Sequence, residues 1–553
     1  MTIRKLSFIS LAAAIACWGT PASAVPIDWI AGTADWFTAG NWNPAQVPTL
    51  ADDVSVNNGG TATAAVPGVQ VQSLDVGDAG AANATGTVDV QTSTVLGSSG
   101  SLNVGRSRGA GTANGTLMGA DNVLGFGNTD IGVVDNGGAG NATGHVDLQT
   151  GFLIGSNSSL EVGRTDGGGT ADGTLAIGGG VVNFNDVFIS FVETGATGNA
   201  TGDVDVKSND LDGDGTGTLI VGRTQAAGTA DGSLTVAGTI KDFDGADIGT
   251  VDTGATGDAT GVVNIGTGTM IGSTGSLNVG RSRGAGTANG TVNGVDNVLG
   301  FGNTDIGVVD NGADGNATGN VELQTGFLIG SLGSLEIGRT NGGDSADGTV
   351  ATNGGVVNFT SIDVGLVQAG GTGNAKGSLT ARGGLSATNL NVGVSAGGGS
   401  ATGLVDVDKS LGVISDTMTL GDGSTIHLGI DGFTRGLLYG GFDVQVAEID
   451  GVLNLFFGFM PAAGIFDLII SGSDTGITGA FDMVNIYGLT PGTLAMHGVV
   501  LDAGVEIYRL EIGVGDPIPV PPPLPGPVPE PGALTLLGFG LAGLGFARRR
   551  KVT

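Results

Sequence analysis

One pair of residues recurs along most of this chain and restricts its fold more than any other feature. A β-branched residue followed by a small one recurs at twelve regularly spaced positions, at which consecutive small residues stand 27 to 32 positions apart. The β-branched members are Val76, Val104, Ile131, Val162, Ile189, Val221, Ile248, Val279, Ile306, Ile337, Val364 and Val392. Val and Ile favour buried positions on a pleated sheet, so the pattern predicts an inward column in a stack of similar coils.

Each repeat contains two or three short segments that alternate apolar and polar residues, separated by Gly-rich corners. Ser101–Val104 ends at Gly105, a second such segment spans Gly144–Leu148, and an apolar patch follows at Gly151–Gly155. A period-2 pattern predicts strands, and no helical periodicity interrupts it. One coil of this size cannot bury a core alone but can bury it against its neighbours. The prediction is an all-β fold, a parallel β-solenoid of about twelve coils over residues 61–411.

The array contains a long internal duplication. Residues 101–156 match residues 276–331 with seven differences in 56 positions. Copying whole coils preserves a fold that depends on contacts between neighbouring coils, and it lengthens a rod or repeats a surface. A catalytic site assembled once gains little from it. The duplication therefore favours a structural or multivalent role.

The N-terminal segment has the three parts of a secretory signal peptide. Arg4 and Lys5 precede an apolar stretch, and Ala22 and Ala24 frame a small-residue cleavage site. We expect residues 1–24 to be removed. A lipoprotein cysteine at Cys17 is the alternative. Cys17 is the only cysteine, so cleavage leaves a chain that must be stabilised by packing and backbone pairing rather than by disulfides.

The last 25 residues, 529–553, form a second three-part signal. It consists of Pro529, Glu530 and Pro531, a charge-free apolar run from Gly532 to Ala547, and a basic cluster of Arg548, Arg549, Arg550 and Lys551. Sixteen helical residues span only about 24 Å, which is short of a bilayer core of about 30 Å. Basic residues stay on the cytoplasmic side. The run therefore predicts a short, temporary transmembrane helix, with a permanent anchor as the alternative.

This tail resembles the PEP-CTERM sorting signal of many secreted proteins of Gram-negative bacteria. The resemblance implies an exosortase-type processing enzyme as a partner, transient insertion in the inner membrane, and export to the cell envelope or extracellular matrix. The repeats, over roughly residues 61–410, resemble those of PEP-CTERM proteins and autotransporter passenger regions. That resemblance implies a surface or matrix protein associated with exopolysaccharide or biofilm.

Three further segments flank the repeats. Residues 25–60 contain Trp29, Trp36 and Trp42, and they predict an aromatic N-terminal cap, with sugar binding by these rings as the alternative. Residues 412–516 hold all three tyrosines and predict a C-terminal β cap domain. Residues 517–528 are Pro-rich and predict an extended linker, or stalk, between the folded body and the sorting signal.

Charge and candidate ligands restrict the function further. The formal net charge of −32 excludes nucleic acid as a partner. Asp210, Asp212 and Asp214 resemble the start of a calcium loop, but Val221 stands where the bidentate Glu is needed. We expect no cofactor, with calcium at these aspartates as the alternative. The acidic ladder along the strands is expected to block lateral aggregation, with diffuse cation binding as the alternative.

No catalytic constellation is evident in the sequence. Of three histidines, His427 and His497 lie outside the repeats, and His145 becomes Asn320 in the duplicated copy. The arginines recur at repeated corner positions, which indicates a structural use. The sequence therefore predicts no catalytic residue and an exported structural or adhesin-like protein that is not an enzyme. A polysaccharide-acting β-helix enzyme, either a lyase or a hydrolase, is the alternative.

Overall fold

A computed structural model describes residues 25–517, except positions 93, 120, 121, 295, 311, 331, 332 and 436–438. The chain forms a parallel β-solenoid of about 16 turns, and Ala39–Asn41 is a short 3-10 helix. The all-β solenoid prediction is confirmed, but the predicted number of coils was too low. No helix within the described part of the chain is long and apolar enough to cross a bilayer.

Each turn places strands on three faces, which we name from their sequences. The Val/Ile face consists of Val25–Trp29, Asp52–Val56, Ser73–Val76, Leu102–Ser107, Thr129–Val134, Leu153–Thr165, Val181–Val192, Thr218–Thr224, Gly245–Val251, Leu277–Ser282, Thr304–Val309, Ser334–Thr340, Ser361–Val367, Leu385–Val392, Leu411–Leu420, Gly441–Ile449 and Ile477–Gly479. Five of these strands are long enough to begin on a neighbouring face. Those five are Leu153–Thr165, Val181–Val192, Leu385–Val392, Leu411–Leu420 and Gly441–Ile449.

The second face, the Ala-Thr-Gly face, follows the Val/Ile face around each coil. Its strands are Thr33–Asp35, Asn58–Thr63, Ala84–Asp89, Ala113–Gly119, Ala142–Leu148, Ala171–Ile177, Ala200–Val206, Ala230–Val236, Ala259–Ile265, Ala288–Gly294, Ala317–Leu323, Ala346–Thr352, Ala375–Ala381, Ala401–Asp408, Ser424–Ile430, Val452–Phe457 and Met483–Tyr487. The third face, the Phe face, has shorter strands and includes the first parts of the five long ones. Its separate strands are Val69–Gln70, Val95–Leu96, Val123–Phe126, Leu211–Gly213, Ile240–Phe243, Met270–Gly272, Val298–Leu299, Leu328–Ile329 and Val357–Asn358.

The predicted Val/Ile column is the centre of the first face. Val279 pairs in register with Ile248 on one neighbouring coil and with Ile306 on the other, and all three side chains are fully buried. The same register runs from Val76 to Val392. It continues beyond the predicted repeats, to Val56 at one end and to Leu420 and Ile449 at the other. The sequence signature is absent from these coils, because Val56 precedes Asn57, Leu420 is not β-branched and Asp450 follows Ile449.

The small residue after each column member is required by the backbone. Gly105 has φ +66°, and a Cβ added there would lie 1.9 Å from the carbonyl oxygen of Thr143. Glycine satisfies both constraints because it has no Cβ and adopts left-handed dihedrals without strain. Ser190 occupies the equivalent corner in one coil with φ 58°, and its hydroxyl donates a hydrogen bond of 2.8 Å to the Ala200 carbonyl.

Large and small residues alternate between consecutive coils on the Phe face. The buried rings, one in every second coil, belong to Phe126, Phe184, Phe243, Phe301 and Phe359. Each lies against a glycine of the preceding coil, and a Cβ at Gly272 would be 2.4 Å from the Phe301 ring. This pairing of a Phe coil with a Gly coil gives the sequence a repeating unit of two coils.

Asparagines in the loops between coils form a hydrogen-bonded ladder. The side-chain oxygens of Asn83, Asn141 and Asn199 accept hydrogen bonds of 2.8 to 3.0 Å from backbone N–H groups of the next coil. The bonds satisfy polar groups of loops that have no strand partner. Each of these asparagines begins an Asn-Ala-Thr triplet, which has the spacing of a glycosylation acceptor, and the hydrogen bonds favour a structural role in the turn instead.

The two ends of the solenoid differ from its middle. At the N-terminal end, Trp42–Asn43 pairs antiparallel with Val25–Trp29. At the C-terminal end, Val505–Ile512 pairs antiparallel with both Gly464–Ile470 and Leu494–Asp502. Asp516–Pro517 then pairs with the start of Leu494–Asp502. The chain therefore leaves the described region from this terminal antiparallel sheet.

Candidate functional site

A long row of ionisable side chains lies along the Val/Ile face, and we call it the charged stripe. It contains Asp75, Asp78, Arg106, Arg108, Asp130, Asp135, Glu161, Arg164, Glu193, Arg223, Asp247, Asp252, Arg281, Asp305, Asp310, Glu336, Arg339 and Asp363. The strand pleat turns the members that lie in strands away from the column, since the column residues beside them point inward. The other members, such as Asp135 and Asp252, directly follow the strands. The stripe includes members of the acidic ladder and the five arginines that recur at corner positions, which are Arg106, Arg164, Arg223, Arg281 and Arg339.

The corner arginines connect neighbouring coils. Arg106 contacts Asp130 at 2.7 Å and Asp135 at 2.9 Å, and both carboxylates belong to the next coil. Arg223 contacts Asp247 at 2.7 Å and Asp252 at 2.6 Å in the same arrangement. The planar guanidinium group suits two carboxylates at once, and partial burial reduces screening by solvent. The structure agrees with the structural use predicted for these arginines.

Acidic side chains also stack directly on one another in the stripe. Asp130 is in register with Glu161 of the next coil, and Asp305 with Glu336. Burial, followed by repulsion from Glu161, raises the pKa of Asp130 to about 7. Burial, followed by repulsion from Asp305, raises the pKa of Glu336 to about 7. The stripe therefore contains carboxyl groups that take up protons near neutral pH.

These raised pKa values predict that the folded protein loses stability as the pH rises. The folded state holds protons that an unfolded chain releases near pH 4, so the contribution of Asp130 is complete below about pH 4 and is lost as the pH passes about 7. We expect Asp130→Asn to reduce the loss between about pH 5 and about pH 7.5 by on the order of 2 kcal/mol. Thermal unfolding at the two pH values measures the difference.

The matched control is Asp314→Asn, because Asp314 has an exposed side chain in a loop. We expect it to leave the pH dependence unchanged. Burial lowers the pKa values of His427 and His497, and these groups act in the opposite direction, since their stability contribution is lost as the pH falls through about 6.5. Both histidines are present in every variant, so they cancel from the comparison. An unchanged pH dependence in Asp130→Asn would contradict the prediction.

The three aspartates of the calcium alternative are engaged with protein groups. Asp210 and Asp212 lie 3.5 and 3.1 Å from the Lys241 ammonium group. The Asp214 carboxylate accepts hydrogen bonds from the backbone N–H and hydroxyl of Thr216, both at 2.9 Å. Over the described stretch of the chain, no group of three or more His, Cys, Asp or Glu side chains has an arrangement suited to a metal ion.

The tryptophans of the N-terminal segment are buried rather than presented to a ligand. Trp29, Trp36 and Trp42 are at most 2% exposed, and Trp42 makes edge contacts with both other rings at 4.7 Å between centroids. The Trp42 indole N–H donates to the Trp36 carbonyl at 2.7 Å. This packing favours the cap interpretation over binding of a sugar by the ring faces.

The histidines are dispersed over the solenoid. His145 is exposed on the Ala-Thr-Gly face. His427 packs edge-on against Phe456 at 5.2 Å between centroids. His497 shares a hydrogen bond of 2.8 Å with the Tyr508 hydroxyl. The structure therefore does not bring the three histidines together.

A groove near the C-terminal end was not foreseen from the sequence. It encloses about 600 Å³, and its acidic lining residues are Asp422, Glu448 and Asp450, with Thr419 and Thr478 beside them. The three acids belong to coils beyond the regular repeats, where no spacing marks them as neighbours. The groove gives the polysaccharide-enzyme alternative a definite location to test.

The sorting residues Pro529, Glu530 and Pro531, the basic cluster, the apolar run and the cleavage residues Ala22 and Ala24 lie outside the described residues. Comparison with known proteins tests the C-terminal signal instead. Residues 527–551 match the PEP-CTERM protein-sorting motif. No curated protein and no solved structure matches the chain.

Fold and motif together define an exported β-solenoid protein that is sorted by its C-terminus. The chain carries a PEP-CTERM sorting motif, and the predicted resemblance is confirmed. The motif implies processing by an exosortase and export to the cell envelope or surface, with a membrane-anchoring region at the terminus.

Proposed function

We propose that the protein is a structural component of the cell surface or extracellular matrix and is not an enzyme. About 16 turns at about 4.8 Å each give a rod of roughly 77 Å. The acidic exterior keeps such rods soluble during export. In this proposal the rod contributes length and a repeated surface to the matrix, and extracellular polysaccharide is its expected neighbour.

The observation that carries the proposal is how the charged residues are used. The arginines of the charged stripe each bind carboxylates of their own or an adjoining coil, as Arg281 does with Asp305 and Asp310. A lyase or hydrolase needs acidic and basic groups that converge on a bound substrate. Charges that repeat from coil to coil and pair with one another support the rod instead.

The acidic groove supplies the alternative, a polysaccharide hydrolase that uses carboxyl groups. Glycoside hydrolysis requires two carboxyl groups on opposite sides of the scissile bond. Glu448 lines the groove together with Asp422 and Asp450, and it is in register with Thr419 and Thr478 of the adjoining coils. If the alternative is right, Glu448→Gln abolishes an activity that the unchanged protein possesses.

We expect the purified exported protein to release no reducing ends from neutral or acidic polysaccharides. In the producing bacterium, we expect most of the protein in the matrix fraction and less retained matrix when its gene is deleted. Glu448→Gln should restore retention as well as the unchanged gene does. Release of reducing ends that disappears in Glu448→Gln would overturn the proposal and establish the hydrolase. Unchanged matrix retention in the deletion strain would also contradict it.

A further inference from the structure

Apolar side chains occupy outward positions on part of the Phe face, and we call this row the apolar stripe. In each coil the stripe residue directly follows a buried residue of the strand, as Leu124 follows Val123 and Ile271 follows Met270. Its members, in coil order, are Leu96, Leu124, Ile154, Val182, Ile271 and Ile329, and the corresponding strand position between the last two is occupied by Leu299. Ile271 is 40% exposed, and Phe327 beside the stripe is 41% exposed. Solvent-facing rows of this kind mark interaction surfaces.

Two charged coils interrupt the stripe at its centre. Val182 is followed in register by Asp212, and Asp212 by Lys241. Lys241 in turn precedes Ile271, because the neighbouring Ile240 pairs with Met270. Beyond the ends, the same position holds polar Gln70 and Asn358. From the N-terminal coil onward, this position is therefore occupied by one polar residue, four apolar residues, one acidic residue, one basic residue, three apolar residues and one polar residue.

Read from the C-terminal coil backward, the order of polar and apolar residues is nearly the same, and the acidic and basic residues exchange places. A twofold axis between the Asp212 and Lys241 coils, perpendicular to the solenoid, places Asp212 of one copy opposite Lys241 of a second copy. The same axis places Val182 opposite Ile271, and Leu124 opposite Ile329. A parallel arrangement would instead place Asp212 opposite Asp212 and Lys241 opposite Lys241, which costs free energy.

We propose that the apolar stripe is an interface between two copies of this protein, packed face to face with their long axes antiparallel. The interface is isologous, so each copy supplies the same surface. At the axis, the Asp212–Lys241 pair within each copy, 3.1 Å apart, joins its equivalent in the other copy. The proposal concerns assembly and does not rest on the proposed matrix function.

The expected association is weak and depends on salt. Eight intervals of about 4.8 Å make the stripe roughly 38 Å long. A contact of this length and one strand width buries on the order of 1,000 Å² in total, near the lower limit for specific pairs. Asp210 and Asp242 lie beside the axis, and the net charge of each copy is −32. We therefore expect added salt to strengthen the pairing by screening this repulsion.

Cysteine cross-linking tests both the interface and its register. With Cys17 replaced by serine, Val182→Cys and Ile271→Cys each introduce the only thiol of the chain. We expect a mixture of the two variants to form a disulfide-linked dimer under mild oxidation, and each variant alone to form at least tenfold less. Val182 of one copy lies three coils, or about 14 Å, from Val182 of the other, which is beyond disulfide reach.

Charge reversal gives an independent measurement on the unlinked protein. We expect Lys241→Asp to remove concentration-dependent dimers in sedimentation, because it places four carboxylates at the axis. Adding Asp212→Lys restores the opposite charges within and between copies, and we expect the dimer to return. Folding of each variant is checked by circular dichroism.

Several results would overturn the proposal. Cross-linking of Val182→Cys alone would indicate a parallel pair. A monomer at every protein concentration and salt concentration would exclude the self-association. Binding of the monomer to phosphatidylcholine vesicles, lost in Leu124→Asp, would assign the apolar stripe to a lipid surface instead.

Discussion

Replacing Val279 by aspartate is expected to prevent stable folding of the central coils. Val279 is fully buried between Ile248 and Ile306, so the new carboxylate would have no water and no basic partner. Burial of an unpaired charge costs several kcal/mol, and we expect a loss of about 4 kcal/mol or more in the free energy of unfolding. Chemical denaturation followed by circular dichroism measures this loss.

Asn289→Asp is the matched control for this prediction. Asn289 faces outward on the Ala-Thr-Gly face of the same coil, between Thr260 and Thr318. Other coils have aspartate at this position, including Asp231 and Asp347. We expect a change within about 0.5 kcal/mol for the control. Equal stability of the two variants would show that the Val279 position is not buried.

The second large effect concerns processing at the C-terminus. The motif match at residues 527–551 implies an exosortase that acts near Pro529–Pro531. We expect the exported protein to end close to these residues and to lack the sequence from Gly532 onward. Replacing Arg548, Arg549 and Arg550 by serine removes the charges that hold the tail on the cytoplasmic side, and we expect unprocessed protein to accumulate.

Mass spectrometry of the C-terminal peptides in envelope and matrix fractions checks this prediction. Serine replacement of Lys207 and Arg382 is a suitable control, since both side chains are exposed and lie in the solenoid. That control changes charge without altering the sorting motif. Intact peptides that span Pro531 to Phe546 as the main species would contradict processing at the motif.

The middle of the solenoid could be predicted because its sequence repeats the same local choice. The Val or Ile marks the buried column, and the small residue after it marks the corner. Gly105 shows why the corner needs a small residue, since its φ is positive and a Cβ there would contact the Thr143 carbonyl. The terminal coils could not be counted in this way. At Ile449 the column continues, but Asp450 follows it in place of glycine. Register between strands preserves the column there although the sequence signature is absent.

The candidate site was predictable only in part. The C-terminal signal is a linear motif, so its residues are recognised without a structure. The corner arginines were correctly interpreted as structural because they recur with the coils. The raised pKa of Asp130 was not predictable, since it depends on burial and on Glu161 in the next coil. The groove at Glu448 and the antiparallel match of the apolar stripe also depend on distances between coils.

The alternation of phenylalanine and glycine on the Phe face restricts how this gene can change in length. Unequal recombination between repeats that removed a single coil would place a Phe coil against another Phe coil, as Phe243 against Phe301, without the glycine that accommodates the ring. Loss or gain of two coils preserves every ring–glycine contact. Length variants that arise in nature should therefore differ in even numbers of coils, and the protein should lengthen or shorten in steps of about 10 Å.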